Sequence, residues 1–173
     1  MVRRQKWGSE LEQSGAELAF GDIVREVGAY MKSRGYRKRA LTFSRFYDGN
    51  RAIVAFQRSV SNTGDRVKFT LNLGIISART PDQLTVHEAH VLHRIGRFVP
   101  GQFDYWWEVY EKNDGEGLGA QIVAIFSETA LPFIEGHVCD TALVAYAESE
   151  DAGSLDRRTR RDLLEMGSQL RAN

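Results

Sequence analysis

The sequence predicts an α+β domain: an antiparallel sheet of about five strands with helices packed on one face, ordered as an N-terminal helix, a strand meander and C-terminal helices. Three observations carry this reading. Apolar residues recur at helical spacing over residues 18–31. They then alternate with polar ones, most cleanly where Val67, Phe69, Leu71, Leu73 and Ile75 interleave with Lys68, Thr70, Asn72 and Gly74. After Gly117 the helical period returns. Strands in one block and helices in another exclude a doubly wound sheet.

The first helix follows Ser14-Gly15-Ala16-Glu17, which has capping-box spacing. Leu18, Ile23, Val24, Val27, Tyr30 and Met31 form its apolar stripe, and Gly35 is placed to end it in the left-handed conformation. Arg39–Tyr47 and Arg51–Ser59 read as strands around the turn Asp48-Gly49-Asn50, and Asn62-Thr63-Gly64-Asp65 leads into the strand from Val67. Such short connections require antiparallel pairing. Thr80-Pro81-Asp82 signals a helical turn or loop running to Glu88. Val91–Val99 and Tyr105–Tyr110 read as the remaining strands, separated by the breaker Pro100-Gly101-Gln102. A helix carrying Leu118, Ile122, Ile125, Phe126, Phe133 and Ile134 is ended or kinked by Pro132. Helices over Asp140–Glu148 and Ser154–Leu170 follow, the last with a stripe of Leu155, Leu163, Met166 and Leu170 that serves its own domain or a second copy.

At 173 residues the chain has the size of one domain, and burying roughly 70% of its unfolded surface needs no disulfide or metal. The division is a basic arm (1–16), an α+β domain (17–150), and a linker with the C-terminal helix (151–173). No continuous apolar run has the length of a membrane span. The single cysteine, Cys139, excludes an intramolecular disulfide and suits a reducing cytoplasm. It reads as a buried structural thiol, with His137 two residues away but no acid arranged to orient it.

The 23 basic and 23 acidic residues are unevenly placed. Residues 1–100 carry +8, residues 101–156 carry −11 with Lys112 their one cation, and residues 157–173 carry +3. The first expectation is that the halves pack together and neutralise each other. The balance of zero gives no footprint for nucleic acid, although Arg3, Arg4 and Lys6, the run Lys32–Arg39, and Arg157, Arg158, Arg160 and Arg161 are cationic clusters.

Gly35-Tyr36-Arg37-Lys38, Thr42-Phe43, Phe56-Gln57, Phe69-Thr70-Leu71-Asn72-Leu73-Gly74-Ile75, Arg94-Ile95-Gly96, Trp106-Trp107 and Leu131-Pro132 succeed one another in that order. The series resembles the bacterial domain-of-unknown-function family 4304, over about residues 17–147. The resemblance implies a small bacterial cytoplasmic α+β domain without an assigned reaction, and it transfers no catalytic residue.

Three constellations are the candidate sites. Lys68, Thr70 and Asn72 share the polar face of the best strand, and Gln57 and Arg94 join them if the register allows; an arginine among amides and hydroxyls suits a carboxylate or phosphate. Trp106 and Trp107 face opposite ways in a strand, so one is available to a partner. His87, His90 and His93 form a metal-ligand candidate, although neither strand nor helix geometry converges all three. The run Gly115-Glu116-Gly117-Leu118-Gly119 imitates a dinucleotide fingerprint without the βαβ unit that gives it meaning.

The expectation is a non-catalytic cytoplasmic interaction protein, immunity-like or accessory, without a cofactor or membrane association, monomeric or homodimeric. A small enzyme or ligand sensor with a polar pocket on the sheet face is the alternative. Nucleic-acid binding through the arginines ranks last.

Overall fold

Ser14 opens the first helix, α1 (Gly15–Ser33), by accepting the Glu17 N–H on its hydroxyl at 3.3 Å. The Glu17 carboxylate pairs with Arg58. The computed structural model describes residues 13–79, 86–101 and 103–172. Residues 1–12 of the basic arm, with Arg3, Arg4 and Lys6, the Thr80-Pro81-Asp82 signal and Gln102 lie outside the described residues, while residues 14–16, expected in the arm, open α1. Gly35, at φ +84°, closes α1 with a Schellman pair: its N–H donates to Lys32 O, and the Tyr36 N–H donates to Met31 O.

Six strands follow: β1 (Arg37–Arg39), β2 (Thr42–Tyr47), β3 (Asn50–Arg58), β4 (Val67–Ile76), β5 (Val91–Arg94) and β6 (Trp107–Val109). They form one antiparallel sheet ordered β1-β2-β3-β4-β5, with β6 sharing the β5 edge of β4. The strand expected from Arg39 is split, because Ala40 at φ +52° turns the chain between β1 and β2. The strand expected over Val91–Val99 stops at Arg94 and passes into a 3-10 turn over Ile95–Phe98. Gly96 explains the stop. A side chain there would sit 2.6 Å from the Phe103 carbonyl oxygen and 2.8 Å from the Tyr105 nitrogen, so the returning chain occupies the path of a longer strand.

The alternation of β4 divides the sheet as expected. Val67, Phe69, Leu71, Leu73 and Ile75 enter the main core with Phe20, Phe43, Phe56 and Trp107. α1, α2 (Leu118–Ile125), α3 (Leu131–His137) and α4 (Asp140–Glu148) contribute to this core. A π-turn over Phe126–Ala130 joins α2 to α3, and Pro132 sits in the first turn of α3. The proline does not end the helical path, which runs from the π-turn through Pro132 to His137. By length and mean hydropathy (1.4), Lys112–His137 is the one helical stretch among the described residues that would suffice to cross a membrane; 33% of the window is buried. α5 (Arg157–Ala172) buries Leu163 and Met166 on its own domain, and Gly167 lets it approach Val144 of α4.

The glycine run before α2 is a packing device. Gly115 lies against the Ala19 backbone of α1, Gly117 takes φ +74°, and a side chain on Gly119 would strike Glu26. The charge segregation resolves into ion pairs between the halves: Arg34–Glu135 (3.1 Å), Lys68–Glu108 (2.9 Å), Arg79–Asp140 (2.9 Å) and Arg94–Asp104.

Candidate functional site

The second face of the sheet carries no helix among the described residues. By register, Ser44, Ile53, Gly74 and Leu92 lie in one row across it, and Thr42, Ala55, Asn72 and Arg94 lie in the next. One end is covered by the 3-10 turn Val86–Glu88, whose Val86 and Ala89 pack on Ile53, Ala55 and Ile76. Gly74 permits this cover, since a Cβ there would lie 2.6 Å from that of Ala89. The other end holds Gln57, Lys68, Thr70, Asn72 and Arg94, brought onto one surface by the β3–β4–β5 register.

Their roles differ. Asn72 is only 4% exposed and donates Nδ2 to Gln57 Oε1 at 2.7 Å. Thr70 is fully buried, and its hydroxyl donates to the Tyr105 carbonyl at 2.7 Å. These two build the floor, each committing a donor inside the protein. Lys68 and Arg94 remain near the surface, pairing with Glu108 and Asp104.

Above the floor runs a strap, residues 103–106, held at three points. Thr70 binds the Tyr105 carbonyl, Gly96 receives the Phe103–Tyr105 backbone, and Arg94 pairs with Asp104. The strap places Trp106, half-buried, with Lys68 5.9 Å and Arg94 5.2 Å from its ring centroid. The indole N–H of Trp106 donates to Asp104 Oδ1 at 3.1 Å. Hydrogen bonding to Arg94 is the main reason the Asp104 carboxyl is held below its ordinary range. Glu108 is likewise lowered, first by the Tyr110 hydroxyl and then by Lys68. Asp104 and Gly96 are the contributors that sequence reasoning missed as site residues. Their signal was present in Arg94-Ile95-Gly96, but its partner segment lies about ten residues downstream.

Trp107 is corrected from a partner candidate to a core residue: it is 7% exposed and stacks on Phe69 at 5.6 Å. The three histidines do not converge. His87 is exposed, whereas His90 accepts the Ser77 N–H on Nδ1 at 3.2 Å. His93 faces the helical layer among Phe98, Phe133 and Tyr146, with Nε2 3.1 Å from the Tyr146 hydroxyl. Burial pushes His93 down to about 4, helped by Arg97 and His137, and it also lowers His90. Among the described residues no three His, Cys, Asp or Glu side chains are grouped to hold a metal ion. Cys139 is exposed, which corrects the buried thiol expected of it. The Thr141 hydroxyl and the Ala142 N–H lower its pKa. His137 is turned away, stacked on Phe133 at 4.3 Å with Nδ1 2.7 Å from the Phe133 carbonyl.

The profile of a domain of unknown function (DUF4304) matches residues 27–136. The chain belongs to that family. The DUF4304 segment contains the floor, the strap and the covering 3-10 turn; α4 and α5 lie beyond it. No curated protein and no solved structure matches the chain.

Proposed function

We propose that this protein is a non-catalytic binding protein of the bacterial cytoplasm, an accessory or immunity-type factor, which docks a protein partner on the helix-free end of its sheet. The observation that carries this reading is the strap: three separate contacts hold Trp106 half-exposed beside two cations. Tryptophan and arginine are the residue types that most often dominate protein interfaces. Phe103, 90% exposed in the strap, and Tyr110, 51% exposed beside Glu108, supply further apolar area near it.

The same geometry disfavours the other readings. A base-stacking platform at Trp106 would bring a phosphate backbone against the carboxylates of Asp104 and Glu108 beside it. A small-ligand site would draw on the donors of Thr70 and Asn72, whose hydroxyl and amide nitrogen already donate inside the protein.

Affinity purification from the native host tests the reading. Wild type and Trp106→Ala are compared with and without nuclease, alongside Glu128→Ala on the helical side. A stoichiometric protein that survives nuclease, is lost with Trp106→Ala and is kept with Glu128→Ala supports docking on this face. Retention by Trp106→Ala, or loss on nuclease treatment, contradicts it.

A further inference from the structure

Asp104 stands out from the strap, with 64% of its side chain open to solvent, yet it has two donors of its own. Its carboxylate accepts from the Arg94 guanidinium and from the Trp106 indole N–H, and Lys68 adds attraction. A solvent-facing ion pair of this kind is weak and exchangeable. The donors do not share that exposure: Arg94 is 33% exposed, and the strap fixes Trp106. What remains if Asp104 swings away is a fork of guanidinium and indole N–H with an ammonium beside it, which is a carboxylate receptor.

We infer that this fork is the recognition point for an acidic protein segment, and that Asp104 is an internal stand-in that a partner carboxylate displaces. The inference rests on the docking reading and gives its partner a chemistry. Charge supports that choice of occupant, because Arg37, Arg39, Lys68 and Arg94 project onto this face by register. Asp104 thereby has a competitive role: it lowers the affinity for weakly acidic chains and leaves the surface to partners that supply a better-placed carboxylate.

The test is fluorescence anisotropy with a fluorescein-labelled decaglutamate peptide, titrated with the full chain as wild type, Asp104→Asn and Arg94→Gln. Asp104→Asn removes the competing charge while keeping a hydrogen-bond acceptor for the strap; circular dichroism melts identify any variant that fails to fold. The expected result is salt-sensitive binding that tightens about fivefold in Asp104→Asn and is lost in Arg94→Gln. Binding that is unchanged or weaker in Asp104→Asn, yet lost in Arg94→Gln, overturns the stand-in role and leaves docking on this face intact. An absence of decaglutamate binding by folded wild type and Asp104→Asn overturns the acidic-segment assignment, while the host purification still judges the docking reading. Binding that Arg94→Gln does not alter places the peptide elsewhere and contradicts both.

Discussion

The side-chain amide of Asn72 donates to the side-chain carbonyl of Gln57 at 2.7 Å, along a diagonal of the β3–β4 pairing. The register sets Gln57 opposite Thr70, and Asn72 between Ala55 and Arg94, so this one bond ties adjacent rows of the floor. Gln57→Ala leaves the Asn72 amide, buried against solvent, without its acceptor. The expected cost is about 1–3 kcal/mol in urea unfolding, with the double variant Gln57→Ala/Asn72→Ala costing less than the sum of the singles. An unchanged midpoint for Gln57→Ala contradicts the contact.

The strap makes a second prediction. Thr70→Val keeps the shape of the floor but removes the donor to the Tyr105 carbonyl, a loss of about 1–2 kcal/mol. Gly96→Ala acts more severely, since its methyl meets backbone rather than a flexible side chain. Both variants are expected to broaden or shift the Trp106 indole N–H resonance more than that of Trp107, whose ring meets Tyr105 at 4.8 Å but is otherwise held in the core. Equal perturbation of the two tryptophans indicates general unfolding and contradicts a local strap.

Stability is expected to fall on acidification before the carboxylates titrate. His93 is held down to about 4 in the folded chain, against an ordinary value of 6.5, so the unfolded state takes up the proton first. The stability is therefore full above pH 6.5 and declines as pH falls toward 4, by about 3 kcal/mol. His90 shifts in the same direction. Asp140, lowered by its bonds to Asn50 and Arg79 despite partial burial, gives up its contribution only at lower pH. His93→Gln keeps a partner for the Tyr146 hydroxyl and should flatten the slope between pH 6.5 and 4. An unaltered slope assigns the effect to other groups.

The C-terminal helix is expected to belong to its own domain. A Cβ on Gly167 would lie 2.6 Å from Val144 Cγ1, so Gly167→Leu wedges α5 from α4 at a cost of about 1–3 kcal/mol. Thermal unfolding at several protein concentrations checks this, with a lowered midpoint independent of concentration as the expected outcome. A midpoint that rises with concentration in wild type would place α5 in an interface between copies.

The meander and α1 were legible in the sequence because each is specified locally. Period-two alternation marked the core face of β4, though Thr70, Asn72 and Ile76 on its second face are buried too, and Gly35 marked the end of α1. The placement of Gln57, Lys68, Thr70, Asn72 and Arg94 on one surface also followed from alternation and short turns. Their division into floor and rim did not, because it depends on the strap returning from beyond β5. The early end of β5 was hidden for the same reason: Gly96 yields to backbone from residues 103–105, and composition alone still reads as strand there. His93 looked like a surface ligand in its local triplet, but pairing with Leu73 turns it into the aromatic core. Cys139 went the other way, since its exposure is set by the tight entry into α4 rather than by residue type.

Site-specific photocrosslinking in the native host bears on the docking face itself. A benzoylphenylalanine replaces Phe103, 90% exposed in the strap, in one strain and Glu128, exposed on the helical side, in another. The expected result is a discrete protein adduct from position 103, absent from position 128 and abolished by adding Trp106→Ala. Adducts from position 128 alone, or from position 103 undiminished by Trp106→Ala, would contradict docking on the strap-bearing face.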